Sequence, residues 1–465
     1  MNRQKTFNTY RATYPVFVYE GFRYEVQSDG LHIAFAFRVE DCSGAHPLTF
    51  APTAWVPARS FLDLNQSSDV LDTLVFHMGM AELVSYWKSF CPPRVEVRCG
   101  SLDEEQTRFW KHLYYLGLGE FFYTNGIRTS EAEFMHLESE GPRRVLPADV
   151  RPDRGACLLP IGGGKDSVVS LELLRSAGVP YRPLILNPRG ATTACVAAAG
   201  MGEEETLVIR RTLDPLLLEL VSQGCLNGHT PFSALLAFYT LLASQLSGVR
   251  SIALSNEDSA NESTVAGSDV NHQYSKSFEF ERDFRRYVAT FFGGRYDYFS
   301  LLRPLSELQI ALLFARTERY FDIFRSCNVG SKRDEWCGHC AKCLFAYIIL
   351  SPFVEPARLA GIFGRNLLDD STLQPLLQQL LGRAETKPFE CVGTVAEVAA
   401  ALSLTRHRRY RDGREPVLLQ AARPLPGVEE ASALLSPLAA SHYVDEALLR
   451  QIKESLSEAR RELKI

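Results

Sequence analysis

Three regimes of hydrophobic spacing follow one another along the chain. Near the start, Phe22, Tyr24 and Val26 alternate with charged or polar neighbours. Ile33, Phe35, Phe37 and Val39 do the same beyond Ser28-Asp29-Gly30. Period-two alternation across a short turn predicts a β-hairpin. From Val70 to Phe90 the spacing turns helical, through Leu71, Leu74, Val75, Met78 and Leu83, and a second helix is predicted from Glu104 to Leu116. The polar stretch Glu138 to Arg154 contains three prolines and reads as a linker.

From Gly155 to about Pro304, short apolar runs alternate with helical patterns. Strands are predicted at Ala156–Ile161, Tyr181–Leu186, Thr206–Ile209 and Ser251–Leu254, with helices between them, one from Pro231 to Leu246. Such alternation implies a parallel sheet covered on both faces, whose ligands bind beyond the carboxyl ends of the strands. From about Gln309 onward the pattern is mostly helical, with amphipathic periods over Leu367–Leu381 and from Tyr443 to the end. The predicted class is α/β, a parallel twisted sheet with helices on both faces. An α+β domain at 1–150 precedes it, the sheet and a cysteine cluster occupy 151–350, and a mostly helical region fills 351–465.

Composition narrows the setting. The 465 residues are 46% hydrophobic and 23% charged, as in ordinary globular proteins. A net charge of −5 gives no electrostatic reason to expect nucleic acid. No apolar run is long enough to span a bilayer and Met1 to Lys5 lead into no signal-like segment, so a cytoplasmic protein without a membrane partner is expected. Eleven cysteines, three of them in one short segment, favour metal or catalytic thiols over disulfides.

Three segments carry the chemistry. The first is Ile161-Gly162-Gly163-Gly164-Lys165-Asp166-Ser167, an apolar run, a glycine turn and a helix start. Glycines admit an anion close to the backbone, and amides at a helix start point outward as donors, so the run suits a phosphate. It is neither a Walker loop, since Leu159 stands where the first glycine belongs, nor a dinucleotide fingerprint, since Ser167 stands at the third glycine. It resembles the S-G-G-x-D-S loop of PP-loop ATP pyrophosphatases, with Gly162 in place of the serine. The nucleotide candidates are therefore Gly162, Gly163, Gly164, Lys165, Asp166, Ser167 and, at the next strand end, Asn187.

The second segment, Ser255 to Glu281, packs polar and charged residues into a long loop after a predicted strand. Glu257, His272, Lys276 and Glu279 are its candidates for proton transfer. The third is Cys337-Gly338-His339-Cys340-Ala341-Lys342-Cys343, with Cys327 upstream. Four thiolates, or three with His339, suit a tetrahedral zinc. An iron–sulfur cluster and free thiols remain open, and a thiol pair could serve as opposed bases at a carbon acid. Arg210, Arg211, Arg285, Arg286, Arg303 and Arg316 could meet an anionic substrate, but each reads first as a solvated surface charge, and Cys157, Cys195 and Cys225 read as small core residues, the last two on helix faces.

Taken together, the glycine run, Ser255-Asn256-Glu257, NHQYSKSFEFE (271–281), CGHCAKC (337–343) and KPFECVGT (387–394) resemble the UDP-N-acetylmuramoyl-L-alanyl-L-glutamate epimerase family, MurL, over nearly the whole chain. The resemblance implies a HUP-like ATP pyrophosphatase domain. It implies ATP- and Mg2+-dependent inversion of the terminal L-Glu of UDP-MurNAc-L-Ala-L-Glu through an acyl-adenylate, with AMP and diphosphate released. It does not assign the individual acid and base. The cysteine segment also resembles the zinc site of 7-cyano-7-deazaguanine synthases, which share the loop. A tRNA-modifying enzyme and a non-catalytic, zinc-stabilised ATP-binding module are the remaining alternatives.

Overall fold

The computed structural model describes residues 3–149, 155–265, 271–411 and 413–464. Their strands are β1 (Val16–Gln27), β2 (Gly30–Glu40), β3 (Leu48–Phe50), β4 (Thr53–Pro57), β5 (Arg94–Val97), β6 (His136–Ser139), β7 (Cys157–Pro160), β8 (Tyr181–Leu186), β9 (Leu207–Arg211), β10 (Ser251–Leu254) and β11 (Asp297–Ser300). Helices lie between them, so the architecture is mixed α/β. The chain forms two compact units, one from residues 1–158, 207–252 and 270–298, the other from 159–206, 253–269 and 299–465. The division falls inside β7, β10 and β11. No described helix is long and apolar enough to cross a membrane.

In the first unit the strand order is β9-β4-β2-β1-β5-β6, with β3 also on β2. The predicted hairpin is present: β1 and β2 pair antiparallel with Gln27 opposite Gly30. The alternation has its expected cause, since Ile33, Phe35, Phe37 and Val39 all point into the core. The helix Ser68–Trp87 is buried on every face from Thr73 to Trp87, which is why its run is apolar nearly throughout. Glu104–Gly117 starts on an Asp103 and Gln106 capping box.

β9 also pairs antiparallel with β4, Trp55 opposite Arg210, a pairing the sequence pattern did not predict. The apolar run Leu207–Ile209 does not reveal its partners, and only folding brings the distant β4 against it. Arg211, read as a surface charge, lies instead against the fully buried Glu82, with an Nη2 to Oε2 distance of 2.5 Å. The stretch read as a linker contains part of β6 and, at Arg143, a parallel bridge to Ser101. Residues 150–154 lie outside the described part.

β7 and β10 run parallel, and β11 follows β10 in the same sense, with Asp297 N–H on the Arg250 carbonyl and Leu301 N–H on that of Leu254. In the second unit Ile161 N–H bonds the Leu184 carbonyl, tying the end of β7 to β8. The amphipathic stretch 367–381 is not one helix. Asn366 and Asp370 accept the Leu368 and Thr372 amides, closing two short turns, and Pro375 opens the helix Gln374–Leu380. Such side-chain bonds compete directly with helix hydrogen bonds. The last helix is Glu446–Glu462, capped by Asp445.

Candidate active site at a glycine turn

In the second unit β7 ends at Pro160, and the chain turns through three glycines into the helix Lys165–Ser176. Gly163 has φ +80°, and a Cβ there would lie 3.0 Å from the Ala191 carbonyl carbon. Only glycine fits that backbone without strain. A Cβ on Gly162 would meet nothing within 4 Å, so the turn is open on that side. Gly164 is the N-cap, and no side chain caps the helix. The first-turn amides therefore have no intrahelical acceptor and present donors at the positive end of the dipole. The neighbouring helix Gly190–Ala198 differs: Asp334 accepts its Gly190 and Ala191 amides at 2.8 and 3.1 Å. Asn187 follows β8 at the same edge with φ +56°.

Lys165 does not project freely from the turn. Its side chain is buried, 2.5 Å from an Asp166 oxygen and in a shorter ion pair with Glu307. Burial works against the ammonium, but Asp166 and Glu307 outweigh it and hold the proton more firmly than usual. Glu307 is pushed well up by burial, with Asp166, Glu257 and Glu397 adding and Lys165 opposing. Carboxylate oxygens of Asp166, Glu257 and Glu307 all lie within 4.8 Å of one another, a spacing that suits a divalent cation. Glu257 follows β10, and its carbonyl accepts from the fully buried Arg303 at 2.5 Å. Ser167 turns its hydroxyl back onto the Gly164 carbonyl at 3.0 Å.

Sequence reasoning missed Glu307 and Glu397 and misread Arg303 as solvated. Glu307 begins a helix whose capping box is Ser306 and Gln309, and Glu397 is the third residue of a box with Thr394. Both acids read as ordinary helix starts. Folding places them together: Glu397 accepts the Glu307 amide at 2.6 Å. Arg303 lies just past β11, a strand the pattern did not predict.

His272, Lys276 and Glu279 belong to the first unit, Glu257 and the glycine turn to the second. The segment read as one long loop is partly ordered into short turns at Asp258–Asn261 and Tyr274–Lys276, with a helix from Phe278. Residues 266–270 lie outside the described part. The His272 ring packs on His229, centroids 4.2 Å apart, and burial pulls His229 down to about 3, with His272, Lys88 and Lys276 adding. Glu279 is largely exposed, 3.4 Å from His112 Nε2. His229 was missed because a lone histidine between Gly228 and Thr230 carries no pattern.

The four cysteines come together in the second unit. Sγ separations are 3.8 Å for Cys327 and Cys340, 3.7 Å for Cys337 and Cys343, and 3.5 Å for Cys340 and Cys343. His339 is exposed and holds the Cys337 carbonyl at 2.8 Å, outside the set. Sulfurs this close leave no room for a carbon acid between them, which removes the opposed-thiol arrangement. Cys195 lies beneath the glycine turn, its Sγ 3.8 Å from the Gly163 carbonyl. Cys225 is buried just past a helix end, not on a helix face. The KPFECVGT stretch, residues 387–394, is anchored at both ends. Lys387 pairs with Glu262, Glu390 accepts the Lys342 amide at 3.1 Å, and Thr394 caps Val395–Arg409.

The MurL N-terminal domain model matches residues 8–301 and the MurL C-terminal domain model residues 323–436. The UDP-N-acetyl-alpha-D-muramoyl-L-alanyl-L-glutamate epimerase of Xanthomonas oryzae pv. oryzae is 40% identical over 70% of this chain and 72% of its own. The proteins of the same name from Micromonospora sp. and Salinispora tropica are 37% and 38% identical, over 76% and 69% of this chain and 79% and 70% of theirs. No solved structure matches. With both family domains matched and relatives aligned over more than two thirds of their length, the chain belongs to the MurL family.

Proposed function

We propose that this protein inverts the terminal L-Glu of UDP-MurNAc-L-Ala-L-Glu, an isomerase reaction driven by ATP and Mg2+ in cytoplasmic peptidoglycan-precursor synthesis, on a PP-loop ATP pyrophosphatase scaffold. The observation that carries the ATP part is the uncapped helix start at Gly164–Ser167 beside three clustered carboxylates. The α-hydrogen of a free glutamate carboxylate is very weakly acidic, because the carbanion forms next to a negative charge. ATP, when bound, supplies an adenylyl group that masks this charge and leaves as AMP.

The residues divide the work. The amides of Lys165, Asp166 and Ser167 suit phosphate oxygens, and the open side of Gly162 admits them closely. Asp166, Glu257 and Glu307 fit Mg2+ by ligand type and spacing. Lys165 lies against Asp166 and Glu307 and offsets part of their charge. His272 and Lys276 are the groups to remove and return the α-proton, and Glu279 lies at the start of the next helix.

The test is incubation with ATP, Mg2+ and UDP-MurNAc-L-Ala-L-Glu, followed by acid hydrolysis and chiral analysis. D-Glu together with pyrophosphate supports the proposal, whereas pyrophosphate without D-Glu assigns the chain to another adenylating reaction.

A further inference from the structure

We propose that Cys327, Cys337, Cys340 and Cys343 bind one zinc ion whose task is to fix the wall of the glycine turn. A zinc–thiolate bond of about 2.3 Å sets the edge of a tetrahedron at about 3.8 Å. The three Sγ separations given above, 3.5 to 3.8 Å, match that edge, and all four sulfurs lie within 4.8 Å of one another. An iron–sulfur cluster places several atoms between its thiolates and spreads them further apart. Four protein ligands leave no open position, so the ion is structural and not a Lewis acid for the substrate. The surroundings suit thiolate charge: Gly330 donates its amide to Cys327 Sγ at 3.1 Å, and Cys340 is the N-cap of Ala341–Leu350.

The link to the turn runs through the segment that carries Cys327. Two residues before it, Arg325 donates its amide to the Gly163 carbonyl at 2.7 Å. Its guanidinium Nε donates to the Asp334 carbonyl at 3.0 Å, and the Asp334 carboxylate holds the Gly190 and Ala191 amides. Ala191 is the residue against which Gly163 packs. Residues 325–334 therefore clamp the glycine turn from two sides, and the ion anchors the clamp at Cys327. This deepens the reading of the turn as a phosphate site and rests on it for what the turn binds.

The experiment is elemental analysis of protein purified without chelators, then hydrogen exchange on peptides covering 160–168, 188–194 and 325–343, before and after zinc is stripped. About one zinc per chain is expected. Stripping should speed exchange in all three peptides, and added zinc should reverse it. Iron in place of zinc, or no metal, overturns the site. Faster exchange confined to 325–343 overturns the coupling. Cys327→Ser should lose the zinc. Should that variant not fold, Asp334→Ala serves: it should keep the zinc yet exchange faster at 188–194, and unchanged exchange there overturns the clamp. Neither readout uses epimerase turnover, so failure of the functional reading is seen separately.

Discussion

Lys165 and Glu307, distant in sequence, form an ion pair with both side chains almost wholly withdrawn from water. The pair joins the glycine turn to a helix whose first amide is held by a further buried acid, Glu397. A buried pair is costly to break, because the survivor keeps its charge without compensation. Asp166 gives Lys165 a second partner, so the loss here falls toward the lower part of the usual range.

Glu307→Ala should lower unfolding free energy by about 3 kcal/mol, read from denaturant midpoints. Replacing both partners, as in Lys165→Met with Glu307→Leu, should recover part of that loss. A double variant no better than the worse single one would show that the pair is not the source.

Gly162 and Gly163 should separate stability from binding. Gly163→Ala forces a side chain into φ +80° and against Ala191, at roughly 1–2 kcal/mol for the backbone alone. Gly162→Ala meets no neighbour, so its melting temperature should stay near wild type while ATP binding, measured by calorimetry, weakens. Undiminished ATP affinity in Gly162→Ala would remove the phosphate from that side of the turn.

The glycine turn was legible because its chemistry is contiguous in sequence. The hairpin, the helix Glu104–Gly117 and the strands Tyr181–Leu186 and Ser251–Leu254 were legible because one face or a short apolar run repeats locally. What escaped lies in long-range pairing. The neighbour of β9 in the first unit is β4, more than a hundred residues earlier. Glu307 and Glu397 read as helix starts until folding joined them, and Arg303 read as surface until β11 carried it inward. Cys327 was suggested by spacing, and only folding brings its sulfur to 3.8 Å from that of Cys340.

Proton exchange tests the residues of the first unit. In deuterium oxide the glutamate α-carbon should gain deuterium only when ATP is present, since the free carboxylate is too weak a carbon acid. His272→Ala or Lys276→Ala should lose this exchange and still release pyrophosphate. Deuterium entering without ATP would overturn the adenylate route, and equal loss of both signals would move these residues from proton transfer to binding.

The last prediction concerns acid. His77 is fully buried in the first unit, its Nδ1 donating to the Thr73 carbonyl at 2.7 Å. Its Nε2 accepts from Tyr287 at 3.0 Å, and the same hydroxyl accepts from Gln106 and Trp110. Burial lowers its pKa to about 4, against the ordinary 6.5. Between those values the unfolded chain binds a proton that the folded one refuses. Stability is thus intact above pH 6.5 and falls as pH drops toward 4, by at most about 1.4 kcal/mol per pH unit from this group. Carboxylates titrate in part of the same window, so the test is a difference: His77→Gln, which cannot take up that proton, should show a shallower decline from pH 6.5 to 4.5 in chemical denaturation. Parallel declines in the two proteins would mean that His77 is protonated in the fold at no cost, and that its bonds to Thr73 and Tyr287 do not exclude the charge.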